Sequence, residues 1–454
     1  MSVNPANPPR PALIATDKDS FAYITTVERW PVIVTKIVDE VYKSRHSLDL
    51  SEVDKLKEGK EIIDSIGGLK YQMQRKKPLI PIEDDGKSDI GTWTHVFNTY
   101  FKDENWYSAT WLFVECYLYR RIHSIFARTK HWKDYDPFFR QKEVAFKASF
   151  IAVIEIAKYI DELIYIPKLP ADNEKIDVGR IIFHELVQIS LWGNSTDLSL
   201  LTNLSNDDFK KLQDLGTKRL KELEKNILAN DLEKAWNYVS ENSNARIDII
   251  LDNAGFEFYV DLVLSDWLIQ SGYAKEIHLH AKKFPWFVSD TTLNDFNWLF
   301  QTLQSEDFFS SASEMERSFL KKLSNRLQSY IANYRLILTS DCFWTSPYAY
   351  WHLAEQAPDL YADLCTSNLV IFKGDLNYRK LIYDCKWKTT TPFNEAIGPL
   401  SSIKGSPSIL ALRTMKADVV VGLEEGIEER LSSNESDWMY SGKYAVIQFN
   451  MGNK

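Results

Sequence analysis

Cysteine is scarce in this sequence, and the cysteines that do occur stand far apart. There are four of them, and no two lie in the C-x-x-C spacing of zinc ribbons and redox motifs. Disulfide scaffolds also need dense cysteines, so we predict neither a structural zinc site nor a disulfide framework. Isolated thiols are typical of a reducing compartment. We therefore expect the protein in the cytoplasm, with the nucleus as a second location.

The sequence also lacks an excess of basic residues and a long apolar run. Its 54 Lys and Arg residues stand against 63 Asp and Glu residues, which gives a formal net charge of −9. Binding to a nucleic-acid backbone needs a clustered basic surface, so we predict no nucleic-acid partner. The most apolar stretch, residues 145–160, contains three charged side chains and is shorter than the ~20 residues that span a bilayer. We therefore predict no membrane partner.

Three common glycine-containing motifs are missing. No G-x-G-x-x-G follows the first predicted strand, which disfavours a nicotinamide site and the usual glycine-rich site for S-adenosylmethionine. Neither G-x-x-x-x-G-K-[ST] nor G-x-S-x-G occurs, so nucleotide hydrolysis on a P-loop and serine esterase chemistry are also disfavoured.

The chain has enough apolar residues for large packed cores. It is 454 residues long, with 44% hydrophobic and 13% aromatic residues, and its length favours two domains. Helical periodicity dominates up to about residue 244, and from Arg246 short strands alternate with helices. We predict an α/β protein in which an all-α N-terminal domain, 1–245, precedes a C-terminal domain, 246–454, with a doubly wound, mostly parallel sheet. Residues 1–20 are predicted to be a disordered lead-in.

The pattern predicts these elements in chain order. The clearest helices are expected at 27–42, 111–126, 145–165, 178–191, 209–239, 256–270, 292–304, 348–365 and 377–383. Strands are expected at 247–251, 275–280, 336–339, 369–372, 409–412, 419–421 and 445–449.

Two segments of the helical half are unusual. Residues 111–123, WLFVECYLYRRIH, place Glu115, Arg120 and Arg121 in an otherwise apolar helix. Such groups must be paired or face a cavity, and we interpret them as the solvated face of the helix. Residues 189–199, ISLWGNSTDLS, are interpreted as a helix end at Gly193 followed by a new helix start.

Polar side chains collect where the predicted strands end. In chain order these are Asp252 and Asn253, Ser289 and Asp290, Ser340 and Asp341, Lys373 and Asp375, and Arg413, Thr414 and Lys416. Taken singly, an Asp after a strand is more often a turn former or a helix cap, and Asp341 is interpreted as a cap. Taken together, carboxylate and amide oxygens suit Mg²⁺ or Mn²⁺, and nearby cations suit a phosphate. This combination indicates phosphoryl chemistry.

The same residues resemble a known family. DNAGFE at 252–257, FVSDTT at 287–292, FKGDLNYRK at 372–380 and LRTMK at 412–416 look like the damage-control phosphatases. The Arg-Thr-x-Lys signature at Arg413, Thr414 and Lys416 resembles their eukaryotic sugar-phosphate branch, also described as protein-glutamate methyltransferases. The likeness extends through the helical half and covers nearly the whole chain.

The resemblance implies a metal-dependent phosphatase for ketose phosphates such as fructose 1-phosphate and fructose 6-phosphate, with Mn²⁺, Mg²⁺, Ni²⁺ or Co²⁺. It implies that Asp252, Asn253 and Asp290 are metal ligands, with Asp252 and Asp290 catalytic. The implied substrate contacts are Asp252, Asn253, Asp375, Leu376, Asn377, Tyr378, Arg379 and Lys416. Glu257 closes the first motif, and its role is left unassigned.

Two points stay open at this stage. The nucleophile is either water or a carboxylate such as Asp252, which would form a phosphoaspartate. The alternative function is S-adenosylmethionine-dependent methylation of protein glutamate side chains, which ranks second because no glycine-rich donor loop is present. The helical half is expected to close the crevice, with Trp192, Asn194, Arg120 and Arg121 as candidate wall residues. The sequence makes no prediction of the oligomeric state.

Overall fold

A computed structural model describes residues 4–163, 178–193 and 224–453. In these ranges seven strands form one sheet. They are β1 Ile227–Asn230, β2 Ala245–Ile250, β3 Ala274–Ala281, β4 Leu336–Ser340, β5 Leu369–Lys373, β6 Ser408–Thr414 and β7 Ala445–Asn450. Their order across the sheet is β1-β7-β6-β5-β2-β3-β4. Neighbouring strands are parallel except for β6 and β7, so the sheet is mostly parallel, as predicted.

Helices precede the sheet and separate its strands. Those before β1 are α1 Phe21–Ile24, α2 Trp30–His46, α3 Val53–Gln74, α4 Ile90–Val96, α5 Trp111–Ala127, α6 Phe139–Ala148, α7 Phe150–Leu163 and α8 Val178–Trp192. Those after β1 are α9 Leu232–Glu241, α10 Phe256–Gln270, α11 Leu293–Gln304, α12 Glu314–Ala332, α13 Leu353–Gln356, α14 Pro358–Leu364, α15 Asp375–Leu381, α16 Phe393–Ala396, α17 Pro399–Ser402 and α18 Ile427–Ser432. Single π-helical turns occupy Thr25–Arg29 and Phe97–Phe101, and 3₁₀ turns occupy Cys342–Thr345 and Tyr350–His352.

The strand order reverses between β2 and β5. From β2 the chain moves outwards to β3 and β4, and it then returns to β5 on the other side of β2. In open α/β sheets ligands bind at the carboxyl ends of the strands where this reversal occurs. The loops that follow β2 and β5 are therefore where the fold places a binding crevice.

Buried apolar side chains form two clusters, one on each face of the sheet. Along β5, Val370 and Phe372 join one cluster, whereas Leu369 and Ile371 join the other, because successive strand residues point to opposite faces. The first cluster also contains buried residues of α1 to α5, and the second contains those of α6 to α8. Helices that precede residue 245 thus cover both faces, and a separate all-α N-terminal domain is not confirmed. The boundary at residue 245 stays a prediction.

Most predicted strands are confirmed, but one is wrong and one was missed. Six of the predicted strands lie within two residues of β2 to β7 at either end. Residues 419–421 form no strand, because Val419 O accepts from Arg413 and Val421 N donates to the Tyr378 hydroxyl instead of to a neighbouring strand. The helix predicted at 209–239 is wrong over residues 227–230, where β1 pairs with β7. Residues 209–223 of that predicted helix lie outside the described ranges.

The first residues also differ from the prediction. Residues 4–20 were expected to be a disordered lead-in, yet Leu13 and Ala15 are buried. Ala12 and Ile14 form β-bridges to Cys385 and Thr110. This part of the chain is fixed by backbone pairing and apolar burial. Among the described helices, none is both long and apolar enough to cross a membrane.

Helix α5 carries its charges inside the protein. The interpretation of Glu115 and Arg120 as a solvated face is wrong, because they are only 7% and 0% exposed. Arg120 donates to both carboxylate oxygens of Asp85 at 2.6 and 3.0 Å, and to both of Asp89 at 2.8 and 3.0 Å. The buried ion pairs of Arg120 therefore fasten α5 to the segment before α4.

Candidate functional site

The loops after β2 and β3 pair through their backbones. Ala254 N donates to Ser289 O at 2.7 Å, and Thr291 N donates to Asp252 O at 2.7 Å. Asn253 and Asp290 form a β-bridge, so the two carboxylates predicted to bind metal lie in adjacent loops. Asp290 is not the cap of α11, because Thr292 fills that position in a capping box. The predicted juxtaposition of Asp252, Asn253 and Asp290 is thus present in the structure.

Gly374 brings the end of β5 against the Asp252 carboxylate. Its φ of 87° and ψ of 173° lie in a region that essentially only glycine adopts. A Cβ atom at this position would lie 1.9 Å from Asp252 Oδ2. The absence of a side chain is therefore what allows the two strand ends at the reversal point to meet.

The Asn253 amide lies at the centre of this group. Its Nδ2 donates to Asp252 Oδ2 and to Glu257 Oε2, each at 2.7 Å. Its Oδ1 accepts from the Ser289 hydroxyl at 2.5 Å. Asn253 is half-buried and lines a cavity, and Ser289 takes only one of the two acceptor sites on its amide oxygen.

The two carboxylates are strongly perturbed. Burial, reinforced by the negative charges of Glu257 and Asp290, raises the pKa of Asp252 well above its usual range. Burial raises the pKa of Asp290 to about 6, although the Lys282 ammonium opposes the shift. Lys282 Nζ lies 3.3 Å from Asp290 Oδ2 and donates to Leu251 O at 2.6 Å. Lys142 also lowers the pKa of Asp290, and Lys416 lowers that of Asp252, yet both pKa values stay raised, so the negative charge at this point is only partly compensated.

These residues fit a divalent cation. Two carboxylates and one amide oxygen form the hard-oxygen donor set that Mg²⁺ and Mn²⁺ prefer. The raised pKa values of Asp252 and Asp290 indicate that both groups would gain from a nearby positive charge. The donor chemistry and the charge deficit therefore point to the same kind of ligand.

A second acidic cluster, formed by residues of β2, β3 and α14, fits a cation poorly. Asp248, His278 and Asp363 offer ligand atoms within 4.8 Å of one another. Arg246, however, donates to both oxygens of Asp248 at 2.8 and 2.9 Å, and to both of Asp363 at 2.9 and 2.6 Å. The guanidinium already compensates both carboxylates, so this cluster is an ion-pair network.

The Arg-Thr-x-Lys segment positions the loop after β5. Arg413 is fully buried, and its Nε donates to Asp375 Oδ1 at 2.9 Å. The backbone N of Lys416 donates to the same oxygen at 3.0 Å. Burial opposes the shift, but the charges of Arg413 and Arg379 hold the pKa of Asp375 below its usual range. Arg413 therefore fixes Asp375 as an ionised group at the cavity wall.

The predicted substrate residues divide into two groups. Asp375, Leu376 and Arg379 line the cavity, as does Lys416. Asn377 is fully buried, where its amide donates to Lys373 O at 2.7 Å and its Oδ1 accepts from the Tyr350 hydroxyl at 2.6 Å.

Tyr378 also points into the protein, and its hydroxyl donates to Gln448 Oε1 at 2.8 Å. The side-chain polar atoms of Asn377 and Tyr378 are thus taken by protein partners, and substrate contact by these two residues stays a prediction.

Arg379 is held by carboxylates from both halves of the chain. Its Nη1 donates to Glu115 Oε2 at 2.7 Å, and its Nη2 donates to Asp384 Oδ2 at 2.7 Å. The guanidinium also lies over the Trp111 ring at 3.9 Å from the centroid. The charge of Arg379 is thus balanced within the protein, and the residue forms a fixed wall between α5 and the sheet.

Two cations that line the crevice, Lys416 and Arg29, lack a carboxylate partner among the described residues. Both are exposed, and neither forms an ion pair among the residues that the structure describes. They line a cavity of about 550 Å³ that contains Asp252, Asp290 and Asp375. A second cavity of about 700 Å³ adjoins it and shares Arg29, Asn253 and Lys416. A ligand in the crevice can therefore reach unpaired positive charge from both halves of the chain.

The helical half does line the crevice, but mostly through residues that the sequence did not single out. Trp192 lines the larger cavity, as expected. Arg120 is bound in its ion pairs and Arg121 donates to the Tyr117 hydroxyl, so neither forms the wall. Asn194 lies outside the described residues. The missed wall residues include Phe21, Arg29, Trp111, Glu115 and Tyr119. Among these five, only Glu115, a charge in an apolar helix, gave a local signal.

The fold and the site define an α/β protein with a carboxylate-rich crevice at the strand-order reversal, flanked by the exposed cations Lys416 and Arg29. A family model described as the damage-control phosphatase ARMT1-like domain matches residues 25–431. The chain belongs to this family.

Its similar relatives share nearly their full length with it. A protein of Xenopus tropicalis named damage-control phosphatase ARMT1 is 37% identical, with 96% of this chain and 98% of that protein covered. The Homo sapiens protein of the same name is 34% identical, with 99% of each covered. A crystal structure of a DUF89 family protein from Pyrococcus horikoshii has a TM-score of 0.39 at 14% identity, covering 94% of this chain and 98% of that one.

Proposed function

We propose that this protein is a metal-dependent phosphatase of small phosphometabolites, with fructose 1-phosphate and fructose 6-phosphate among its substrates. The observation that carries the proposal is the convergence of Asp252, Asn253 and Asp290 with the exposed Lys416, which forms no ion pair with any described residue, in one cavity. Membership of the damage-control phosphatase ARMT1-like family supports the same reaction class. The cavity of about 550 Å³ has room for a sugar phosphate, since small-molecule sites are typically about 300–1,000 Å³.

Asp252, Asn253 and Asp290 would hold the divalent ion, for which Mn²⁺, Mg²⁺, Ni²⁺ and Co²⁺ are the candidates. When bound there, the ion would neutralise negative charge on the phosphoryl oxygens. The carboxylates that hold it are buried, so their interaction with a cation is little screened by water. The paired loops after β2 and β3 keep the three ligands in fixed positions before substrate arrives.

The remaining groups bind and orient the substrate. Lys416 contacts the phosphate oxygens, and Arg29 contributes positive charge from the opposite, helical wall. Asp375, held ionised by Arg413, accepts hydrogen bonds from sugar hydroxyls. Arg379 keeps Glu115 and Asp384 in place and closes the cavity on that side. Fixed charges of this kind stabilise a transferring phosphoryl group mainly by positioning and electrostatics.

Two nucleophiles are compatible with this arrangement. Water can attack phosphorus while the sugar hydroxyl leaves, which transfers the phosphoryl group in one step. Alternatively, the Asp252 carboxylate attacks first, and water then hydrolyses the acyl phosphate. Acid quenching of the enzyme with ³²P-labelled substrate separates the routes, because only the second leaves label on the protein.

The proposal is tested with a panel of sugar phosphates, assayed for free phosphate with Mn²⁺ or with EDTA. We expect phosphate release with Mn²⁺ and none with EDTA. The alternative protein-glutamate methyltransferase would instead leave a base-labile methyl ester on protein in the presence of S-adenosylmethionine, with no need for metal. A non-catalytic sugar-phosphate sensor would bind its ligand and release it unchanged. Either of these results would overturn the proposal.

A further inference from the structure

The terminal nitrogen of Asn253 can be identified from its neighbours. One terminal atom of the amide lies 2.7 Å from two carboxylate oxygens, Asp252 Oδ2 and Glu257 Oε2. Two hydrogen-bond acceptors at that distance require a donor with two N–H groups, which is the NH₂ end. The oxygen end must then point the other way, where it accepts from Ser289 at the cavity wall.

Glu257 is itself held by a chain of buried groups. Its Oε1 accepts from Lys373 Nζ at 3.1 Å, and Lys373 donates to Asp261 Oδ1 at 2.7 Å. Ser190 of α8 donates to the same Asp261 oxygen at 2.6 Å. The side chains of Lys373 and Asp261 are only 2% and 1% exposed. The chain runs from α8 through α10 and β5 to the amide, so Glu257 cannot turn without breaking a buried ion pair.

We infer that Glu257 is a positioning residue that fixes the amide of Asn253 with its oxygen towards the divalent cation. The inference rests on the proposed metal site and adds a residue to it. Because Glu257 accepts from Lys373 Nζ and from Asn253 Nδ2, only the NH₂ end of Asn253 can face it. If the amide turned over, Oδ1 would face two carboxylates and the NH₂ end would face the cation, so the ligand would be lost.

Replacement of Glu257 by Gln tests the geometry. A glutamine has one acceptor and one donor end, whereas Glu257 accepts on both sides, from Asn253 and from Lys373. Glu257→Gln must therefore set its NH₂ group against either the Asn253 NH₂ group or the Lys373 ammonium. Loss of such an outer hydrogen bond typically weakens metal binding about 10- to 100-fold. The loss of one negative charge could also weaken it, so the experiment must separate charge from orientation.

A double-mutant cycle on Mn²⁺ binding makes that separation. Calorimetric titration with Mn²⁺ compares wild type, Glu257→Gln, Asn253→Ala and the double variant, with Asp252 and Asp290 retained throughout. If Glu257 acts through Asn253, Glu257→Gln weakens Mn²⁺ binding about tenfold or more in wild type and less than about threefold in the Asn253→Ala background. An equal factor in both backgrounds would show a charge effect alone and would overturn the inference.

Two further variants serve as controls. Ser289→Ala removes the other hydrogen bond of the amide but leaves both carboxylates on its nitrogen, so Mn²⁺ affinity should stay within about threefold of wild type. A loss as large as that of Glu257→Gln would contradict the orientation argument. Glu257→Asp keeps the charge beside Lys373, yet it is one methylene too short to reach both partners. It should weaken Mn²⁺ binding as Glu257→Gln does, and full affinity would overturn the inference.

The same experiment separates a failure of the inference from a failure of the proposed function. If wild type binds no Mn²⁺, the metal site itself is wrong and the inference falls with it. If wild type binds Mn²⁺ and Glu257→Gln binds it equally well, only the role of Glu257 is refuted. Thermal unfolding of each variant in EDTA reports the fold separately, and Glu257→Asp replaces Glu257→Gln in the cycle if the glutamine variant does not fold.

Discussion

Gly374→Ala is the single methyl addition that should damage the site most directly. The new Cβ would lie 1.9 Å from Asp252 Oδ2, 2.1 Å from its Cγ and 2.7 Å from its Cβ. Ordinary contact is about 3.4 Å or more, so the carboxylate would have to move by roughly 1.5 Å. Asp252 is one of the proposed metal ligands, so its displacement would change the geometry at the reacting phosphate.

The magnitude follows from two separate effects. A non-glycine residue at φ 87° and ψ 173° costs about 1–3 kcal/mol of stability, because this conformation is essentially confined to glycine. A displacement of about 1 Å at a catalytic group can reduce the rate about hundredfold. We therefore expect a measurable fall in the free energy of unfolding and at least a hundredfold fall in kcat/KM.

Gly405→Ala is the matched control. Gly405 has the same φ of 87°, but a Cβ there meets nothing within 4 Å. It should lose stability through backbone strain while phosphate release with Mn²⁺ stays near wild type. Urea denaturation and steady-state phosphate release on both variants make the comparison. If Gly374→Ala keeps its kcat/KM and its Mn²⁺ affinity within about threefold of wild type, the reasoning about the Asp252 contact is wrong.

Three other predictions address the cations and the pH dependence of the fold. Lys416→Ala should lower kcat/KM about 10- to 100-fold, since one charge-assisted contact is worth ~1.5–3 kcal/mol, while calorimetry should show Mn²⁺ affinity near wild type. Unchanged phosphate release, with loss of methyl transfer to protein, would contradict this prediction. Arg120→Met should lower the free energy of unfolding by about 3–5 kcal/mol in urea, because it leaves the buried carboxylates of Asp85 and Asp89 uncompensated, and an unchanged midpoint would contradict this. Burial, with the nearby Arg120 charge, lowers the pKa of His123 from its ordinary value of 6.5 to about 3. Between pH 6.5 and 3 only the unfolded chain gains the proton, so the free energy of unfolding should be highest above pH 6.5 and should fall as the pH drops towards 3. His123→Phe should weaken that pH dependence in thermal melts, and an identical profile would refute the assignment.

The arrangement of the strand ends could be predicted because parallel strands deliver their carboxyl ends to one edge. Asp252, Asn253 and Asp290 do meet there, which also depends on the pairing of β2 with β3. The rule does not say which strands are neighbours. Asp341, after the edge strand β4, accepts from Phe343 N and caps a 3₁₀ turn instead, as the local pattern indicated.

The direction in which the side chains of the substrate loop point was harder to predict than the position of the loop. The sequence DLNYR resembled a contiguous binding motif, and in the structure it begins helix α15, two residues before the start of the helix predicted at 377–383. A helix turns 100° per residue, so Asp375, Leu376 and Arg379 share one face and line the cavity. Asn377 and Tyr378 then face the sheet. A helical reading of the motif could have separated these residues.

The wall contributed by the helical half could not be predicted from local pattern. Phe21, Arg29 and Trp111 reach the cavity because α1 to α5 cover one face of the sheet, and that packing depends on contacts far apart in sequence. Glu115 and Arg120 were assigned to a solvated face, since a charge in an apolar helix has the same local pattern whether it is paired or hydrated. Their partners, Arg379 and Asp85, are distant in sequence or lie in an irregular segment.

Asp252→Ala, assayed for phosphate release at saturating Mn²⁺, tests the central claim most directly. Asp252 is buried beside Glu257 and Asp290, whose charges it repels when ionised, so its removal should not destabilise the fold. We predict that the variant unfolds at a temperature near that of wild type and releases no phosphate from fructose 1-phosphate. Asn253→Ala and Asp290→Ala should also lose activity, with partial recovery at raised Mn²⁺. Near-normal turnover by Asp252→Ala at saturating Mn²⁺ would contradict the account.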